Sequence, residues 1–304
     1  GDVHAGRRFE RGVPLHRRGE REAAQLARLQ EELATPNITI NITIGDLFDH
    51  PHVGYGTVLE VAQAYLNADS AVQYFIMAGN HDLPRNVEVV GAFDVFEKIV
   101  AARPNITVVR NPLVWEGIAM FPWEWTRSAE EQVADLDDQE YDVVVGHFDL
   151  QSFGGDDSHM VPVNVIPDNV ELYSGHWHLP GDYKVSGRTV HCTGSMLPFS
   201  HAEDPEGEIY VTLTLDEFNA ENPAGFKNKC VRILLKPGEE LPVDLDCLAL
   251  TAKRHVEEEA EKEAEALGDF NWSAILATKI GVLEPHVQEF IHEKIGEYNA
   301  AAES

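Results

Sequence analysis

The chain has 304 residues, 43% of them hydrophobic, enough for one large α/β domain and a small appendage. It carries 23 Lys and Arg against 52 Asp and Glu, a net charge of −29, which excludes a protein that coats nucleic acid by bulk electrostatics but not one that binds it locally. No apolar run approaches the ~18 residues of a membrane span. No signal peptide is visible, and Cys192, Cys230 and Cys247 lack metal-like spacing, so they read as reduced packing residues of a cytoplasmic protein.

In chain order, the first segment holds Arg7, Arg8, Arg11, Arg17, Arg18, Arg21 and Arg28 against Asp2, Glu10, Glu20 and Glu22. Basic charge is thus concentrated beside an Asp2-x-His4 spacing. Residues 19–34 place Ala23, Leu26, Leu29 and Leu33 at helical spacing and predict an amphipathic helix that Pro36-Asn37 ends. ITINITIGD (38–46) alternates and predicts a strand ending at Gly45-Asp46. A helix near 57–67 precedes the apolar strand of 71–82, which runs into Gly79-Asn80-His81-Asp82. A helix near 91–101 and strands near 106–110, 113–115 and 117–121 follow, then an acidic helix over 128–138. Strands at 141–149 and 170–178 each end on Gly-His, and strands near 182–185, 188–192 and 208–214 look like an antiparallel set. After about residue 220 the strand-like CVRILLKPGEELPVDLDCLAL reads as a small cap. From 251 onward the chain is expected to be helical, with helices near 271–280 and 285–299 after a charged segment. The order βαβα followed by strands predicts a layered α/β sandwich with two sheets.

The chemistry sits at strand ends. GDVH (1–4), GDLFD (45–49), GNHD (79–82), GH (146–147) and GHWH (175–178) each follow, or begin just after, a strand position. Their glycines let the backbone turn and aim the next side chain into the crevice beyond the sheet. Together they gather Asp2, His4, Asp46, Asn80, His147, His176 and His178. Carboxylate, imidazole and amide ligands without a thiolate suit a pair of manganese, iron or zinc ions better than a structural zinc site. A lone motif of this kind is weak: a single His after a strand is usually a satisfied core histidine. The five in this order are what points to a two-metal centre.

This order resembles the calcineurin-like metallophosphoesterases. Within them the D-x-H-x-G-R start (Asp2, His4, Gly6, Arg7), GDLFD, GNHDLP, GHWHLP and TGSMLPFSHAEDPEG are similar to the nuclease subunits of SbcCD-type double-strand-break repair complexes, and FPWEW, SGHWH and the AEDPEG turn to those of T-even-type phages. The likeness spans roughly residues 1–215 and is thin beyond. It implies a four-layer α-β-β-α sandwich with a catalytic domain over 1–220, a cap over 221–250 and a helical tail over 251–304. The resemblance also puts the family's first strand just before Asp2, so this sequence is expected to lack that strand and to hold Asp2 and His4 loosely.

The same resemblance implies the roles. One divalent ion would be held by Asp2, His4, Asp46 and His178, the other by Asp46, Asn80, His147 and His176, with Asp46 bridging. Manganese is the expected ion, with magnesium, iron or zinc as alternatives. Such a pair, ~3.5–4 Å apart, activates a water and clamps phosphate oxygens. His81 would protonate the leaving oxygen, Asp82 would orient it, and Asp49 would support His81 or the substrate. Arg7 and Arg8 would meet the DNA backbone without reading sequence. Trp123 and Trp125 read as core, with base stacking as the alternative. The implied activity is a DNA nuclease, exonucleolytic on duplex ends and endonucleolytic on single strands, working as a homodimer with an SbcC-type coiled-coil ATPase. Phe270, Trp272, Ile275, Leu276, Ile280, Leu283, Val287, Phe290 and Ile291 would dock on that ATPase, or pack back on the catalytic domain. The alternative function is a phosphoesterase for a small phosphodiester, cyclic nucleotide or phosphoprotein.

Overall fold

A computed structural model describes residues 1–254 apart from 87, 137, 152–156 and 243–244. The chain divides into two compact units, Gly1–Lys253 and Arg254–Ser304, and the expected tail helices lie outside the described residues.

The first sheet, β1 (Ile40–Thr43), β2 (Gln73–Met77) and β3 (Ile106–Val109), is parallel throughout. Parallel strands need crossovers, and α2 (Tyr55–Asn67) and α3 (Ala92–Val100) supply them. The second sheet runs in the order β4 (Leu113–Trp115), β5 (Ile118–Phe121), β6 (Val143–Gly146), β7 (Glu171–Ser174), β9 (Arg188–Cys192), β8 (Gly181–Val185). Its interior pairs β5–β6, β6–β7 and β7–β9 are parallel, and the antiparallel β4 and β8 close its edges.

Period-two patterning decides the layers. On β2, Tyr74 and Ile76 face the helices while Phe75 and Met77 face the second sheet. On β6, Val143 and Val145 meet that same interior and Val144 points to the opposite face. The inter-sheet core is Ile44, Phe75, Met77, Val109, Met120 and Val145. Helix α1 (Glu20–Leu33), with α2 and α3, covers the outer face of the first sheet, and α4 (Ala129–Ala134) covers that of the second. This is the expected four-layer sandwich. Two tyrosines buried beside the first sheet keep their hydroxyls paired: Tyr65 with Thr43 Oγ1 at 2.7 Å, and Tyr74 donating to Leu33 O at 3.2 Å.

Three expectations change. The strand at 208–214, β10 (Tyr210–Thr214), does not join β8 and β9. It pairs in parallel with β11 (Cys230–Leu235), and with β12 (Ala249–Arg254) forms a separate three-stranded sheet. The parallel connection is made by α5 (Leu215–Ala220), which the sequence reading missed although Thr214 and Glu217 form a capping box at its start. Residues 251–254, expected to be helical, are strand. Asp2 and His4 are not loose: Asp2 N–H donates to Gly194 O at 3.2 Å, Asp2 O accepts from Met196 N–H at 2.8 Å, and His4 N–H donates to Asp46 O at 2.8 Å. The three cysteines are buried free thiols, as expected.

Candidate metal centre

Parallel strands share one direction, so β1, β2, β6 and β7 deliver their C-terminal ends to one edge of the sandwich. The turns that follow carry Asp46, Asn80, His147 and His176–His178, and residues 2–4 lie between Asp46 and Ser195. All seven expected ligands meet there.

They form two groups. In the first, His4 Nε2 is 3.0 Å from His178 Nε2, which is 3.5 Å from Asp2 Oδ2. In the second, Asn80 Oδ1 is 2.9 Å from His147 Nε2 and 3.0 Å from His176 Nδ1. Asp46 Oδ2 lies between them, 3.6 Å from His4 Nε2 and 3.3 Å from His147 Nε2. Burial is deep: Asp2 and His4 are 0% exposed, and Asp46 and His147 1%.

These residues fit a pair of divalent ions. Asp2 Oδ2 and Asp46 Oδ2 are buried carboxylate oxygens without a hydrogen-bond donor among the described residues. The second group also turns acceptors toward each other. His147 Nδ1 has Ile44 O at 2.8 Å, so that nitrogen keeps its proton, and in the neutral ring Nε2 is left to present its lone pair toward the Asn80 carbonyl oxygen. Converging lone pairs are what a cation satisfies.

The carboxylates favour positive charge at the centre. Burial alone would lower the His147 pKa, but the Asp46 and then the Asp2 carboxylate hold it up to about 9. Burial would raise Asp46, yet His147, His4 and His81 hold it well below the usual carboxylate range. Burial opposes a rise at His178 too, and Glu203 and Asp2 overcome it.

The backbone is strained at the ligands themselves. His4, Asp46 and His176 have φ of 50°, 47° and 67°, the left-handed region that side chains rarely occupy. The sequence reading assigned the sharp turns to the glycines. Gly45 does sit at φ 84°, but Gly175 serves close approach instead: a Cβ there would lie 2.2 Å from Ile44 O and 2.7 Å from Asp2 Oδ1.

The expected catalytic residues divide. His81 is at the site: its ring meets that of His4 edge-on at 4.8 Å, and its N–H donates to Asp46 Oδ1 at 2.8 Å. Its Nδ1 is fixed by the backbone O of Asp49 at 2.6 Å. Asp82 therefore does not orient it. Asp82 is fully buried and accepts the N–H groups of Leu47, Phe48 and Gly79, tying the 45–48 and 79–82 turns together. Its burial and the nearby Asp46 push its pKa up, against those three donors. The Asp49 carboxylate faces Arg7 at 3.1 Å and His4 Nδ1 at 3.4 Å, and both hold its pKa down against burial. Arg7 also lies 4.7 Å over the Phe199 ring, while Arg8 is 80% exposed. Trp123 is core: it stacks on His159 at 3.8 Å and on His176 at 5.6 Å. Trp125 donates to Leu83 O and takes Arg85 over its face.

Sequence reasoning missed the groups behind the ligands. Gln25, buried on α1, donates to Val3 O at 2.6 Å and His4 O at 3.0 Å. Asp149 Oδ1 is 2.8 Å from His176 Nε2, and Glu203 Oε2 is 3.5 Å from His178 Nδ1. A carboxylate two residues beyond Gly-His, and another in the AEDPEG turn, were visible signals of this kind.

A family model for calcineurin-like phosphoesterases matches residues 1–180. The DNA double-strand break repair protein Mre11 of Methanopyrus kandleri is 23% identical over 222 residues, 66% of this chain and 49% of that protein. The chain thus spans about half the length of the curated relative it matches.

Proposed function

The chain belongs to the calcineurin-like phosphoesterase family of metal-dependent hydrolases, and from that premise we propose that it is a manganese-dependent DNA nuclease. It cuts duplex ends exonucleolytically and single strands endonucleolytically, as the nuclease subunit of an SbcCD-type repair complex. The similarity to an Mre11 protein supports this reading. The observation that carries it is a groove of about 640 Å³ beside the metal centre. Phe199 forms a shared wall, packing on His4 and His178 on one side and lining the groove on the other. Arg7, Arg8, Arg11, Arg21, Arg232 and Lys253 line the groove against one carboxylate, Glu10, among the described residues. Arg11, Arg232 and Lys253 have no carboxylate partner among the described residues. In a chain of net charge −29, cations left unpaired around one groove match a polyanion that supplies the missing charge.

Asp2, His4, Asp46 and His178 would hold one ion, and Asp46, Asn80, His147 and His176 the other. Bound there, two divalent ions supply Lewis-acid polarisation of the phosphate and a water acidic enough to attack at neutral pH. His147 keeps Nε2 free by donating from Nδ1 to Ile44 O. His81 anchors its Nδ1–H on Asp49 O, which leaves Nε2 as the nitrogen that carries a proton to the leaving oxygen. Arg7, held by Asp49, and the exposed Arg8 position phosphates at the groove entrance. The cap, extended to the end of β12 at Arg254, the tail beyond it as a docking module for an SbcC-type coiled-coil ATPase, the homodimer and the cytoplasmic location belong to the same proposal. Among the described residues no helix is long and apolar enough to cross a membrane.

The test is incubation with Mn²⁺ and a linear duplex labelled at either end, with His81→Ala as control and bis(p-nitrophenyl) phosphate as a second substrate. Nucleotide release that needs both Mn²⁺ and His81 supports the nuclease. Cleavage of the small diester with intact DNA, also in the presence of an SbcC-type ATPase, assigns the chain to the alternative class of small-diester phosphoesterases.

A further inference from the structure

Three of the four imidazoles at the centre, His147, His176 and His178, turn one nitrogen inward and have an acceptor within 3.5 Å of the other. For His147 the acceptor is the Ile44 carbonyl, fixed by the backbone at 2.8 Å. His4 is the exception: its Nδ1 is buried without a hydrogen-bond partner among the described residues, and Asp49 Oδ1 stands 3.4 Å away. For the Gly-His-Trp-His turn the acceptors are two carboxylates from distant loops. His176 directs Nδ1 inward and Nε2 to Asp149 Oδ1 at 2.8 Å. His178 directs Nε2 inward and Nδ1 to Glu203 Oε2 at 3.5 Å. Two imidazoles two residues apart thus use opposite ring nitrogens. A carboxylate is acceptor-only when ionised, so each one dictates which nitrogen carries the proton.

We propose that Asp149 and Glu203 are positioning residues of the metal centre. Asp149 locks His176 with Nδ1 as the ligand atom of the Asp46–Asn80–His147 ion, and Glu203 locks His178 with Nε2 as the ligand atom of the Asp2–His4 ion. This rests on the two-metal reading of the site.

The surroundings of each carboxylate support a fixed role. Asp149 follows His147 by two residues, so the loop that supplies one ligand also holds another in place. Its backbone is clamped on both sides, N–H to His159 O at 2.9 Å and O from Val161 N–H at 3.0 Å, and the residue is 8% exposed. His176 needs such an anchor, because its φ of 67° is a conformation its own side chain disfavours. Glu203 is shared among more groups: Oε2 also accepts Phe199 N–H at 2.8 Å, and Oε1 accepts Ser200 Oγ–H at 3.0 Å. It therefore sets both His178 and the Phe199 ring that packs on His4 and His178. Its longer reach to the imidazole predicts a smaller effect than that of Asp149.

Outer-shell partners of metal-bound histidines typically change metal affinity by about 10–100-fold. Calorimetric titration of chelator-treated full-length protein with Mn²⁺ should show Asp149→Ala weakening one of two binding events by about that factor while the other is unchanged. Asp149→Asn, whose amide oxygen can stand as an acceptor beside Nε2, should lose less. In the Asn80→Ala background Asp149→Ala should add little, because both act on the same ion. Glu203→Gln should weaken the other event, by less than tenfold. Long-range ¹H–¹⁵N spectra of the histidine rings, taken without metal, give an independent readout. His176 should hold its proton on Nε2 in the wild type and in Asp149→Asn, and populate both tautomers in Asp149→Ala. Wild-type Mn²⁺ affinity in Asp149→Ala, together with an unchanged His176 tautomer, would overturn the proposal. A wild-type protein that binds no Mn²⁺ defeats the two-metal reading instead, and the ring spectra then decide the positioning role alone.

Discussion

Adding one methyl group at Gly175 should disable the centre without replacing a candidate ligand. A Cβ there would stand 2.2 Å from Ile44 O, 2.7 Å from Asp2 Oδ1 and 3.1 Å from His147 Nδ1. The first obstacle is backbone at the end of β1 and cannot swing away. To restore ordinary contact, Ile44 O has to retreat by roughly 1 Å from its 2.2 Å clash. That movement pulls the acceptor from His147 Nδ1, at the residue that fixes the ring. Overpacking of this kind costs ~1–3 kcal/mol. A buried donor left unpaired adds ~1–3 kcal/mol. Gly175→Ala should therefore lose about 2–6 kcal/mol, read as a lower urea midpoint at constant slope. It should also bind Mn²⁺ weakly in calorimetry. Gly56→Ala is the matched control: it lies on α2 with nothing within 4 Å of its added Cβ, and should gain up to about 1 kcal/mol. If Gly175→Ala unfolds within ~0.5 kcal/mol of wild type and binds Mn²⁺ normally, the packing argument is wrong.

Further outcomes follow from the same geometry. Asp82→Asn removes one acceptor oxygen and turns an N–H donor onto one or two of the three backbone donors, so it should cost more than ~2 kcal/mol in urea unfolding. A stable Asp82→Asn with only an altered pH–rate profile would return Asp82 to the proton-transfer role. His81→Ala should keep Mn²⁺ binding and lower diester hydrolysis by about 10²–10⁴-fold, and unchanged turnover would remove His81 from the chemistry. The His147 imidazole is held near pKa 9 by Asp46 and Asp2 against burial, above its unfolded value of about 6.5. Its charge therefore adds stability fully below about pH 6.5, lost as pH rises through 9 in chelator-treated protein. A bound ion needs the neutral ring, so Mn²⁺ binding at pH 7 should release a proton, and apparent affinity should climb until about pH 9. Calorimetry in two buffers of different ionisation enthalpy detects that proton, and zero release would contradict the assignment. Finally, Arg232→Glu or Lys253→Glu should weaken duplex binding and lower the salt slope by about 1 each, leaving hydrolysis of the small diester unchanged. An unaltered slope would take the groove out of DNA binding.

The strands and their ligands were legible because both are local. Alternating runs such as ITINITIGD and apolar runs such as YDVVVGHFD announce a strand, and the chemical residue stands just past its end. Parallel topology then brings distant strand ends together, so five short motifs were enough to gather seven candidate ligands. What escaped is long-range. The backing of His176 by Asp149 and of His178 by Glu203 depends on where loops cross after folding. Asp82 beside His81 suggested a charge pair by adjacency, yet its carboxylate is consumed by three backbone N–H groups. The strand at 208–214 joined another sheet because α5 could make a parallel crossover, and the Thr214–Glu217 signal for that helix was overlooked.

The central claim is a shared two-ion centre bridged by Asp46, and counting ions tests it most directly. Chelator-treated wild-type protein should take up two Mn²⁺ per chain, measured by calorimetry and by elemental analysis after desalting. Asp46→Ala should weaken both sites at once, because Asp46 Oδ2 lies between His4 and His147. A wild-type stoichiometry of zero or one, or two ions held undiminished by Asp46→Ala, would contradict it.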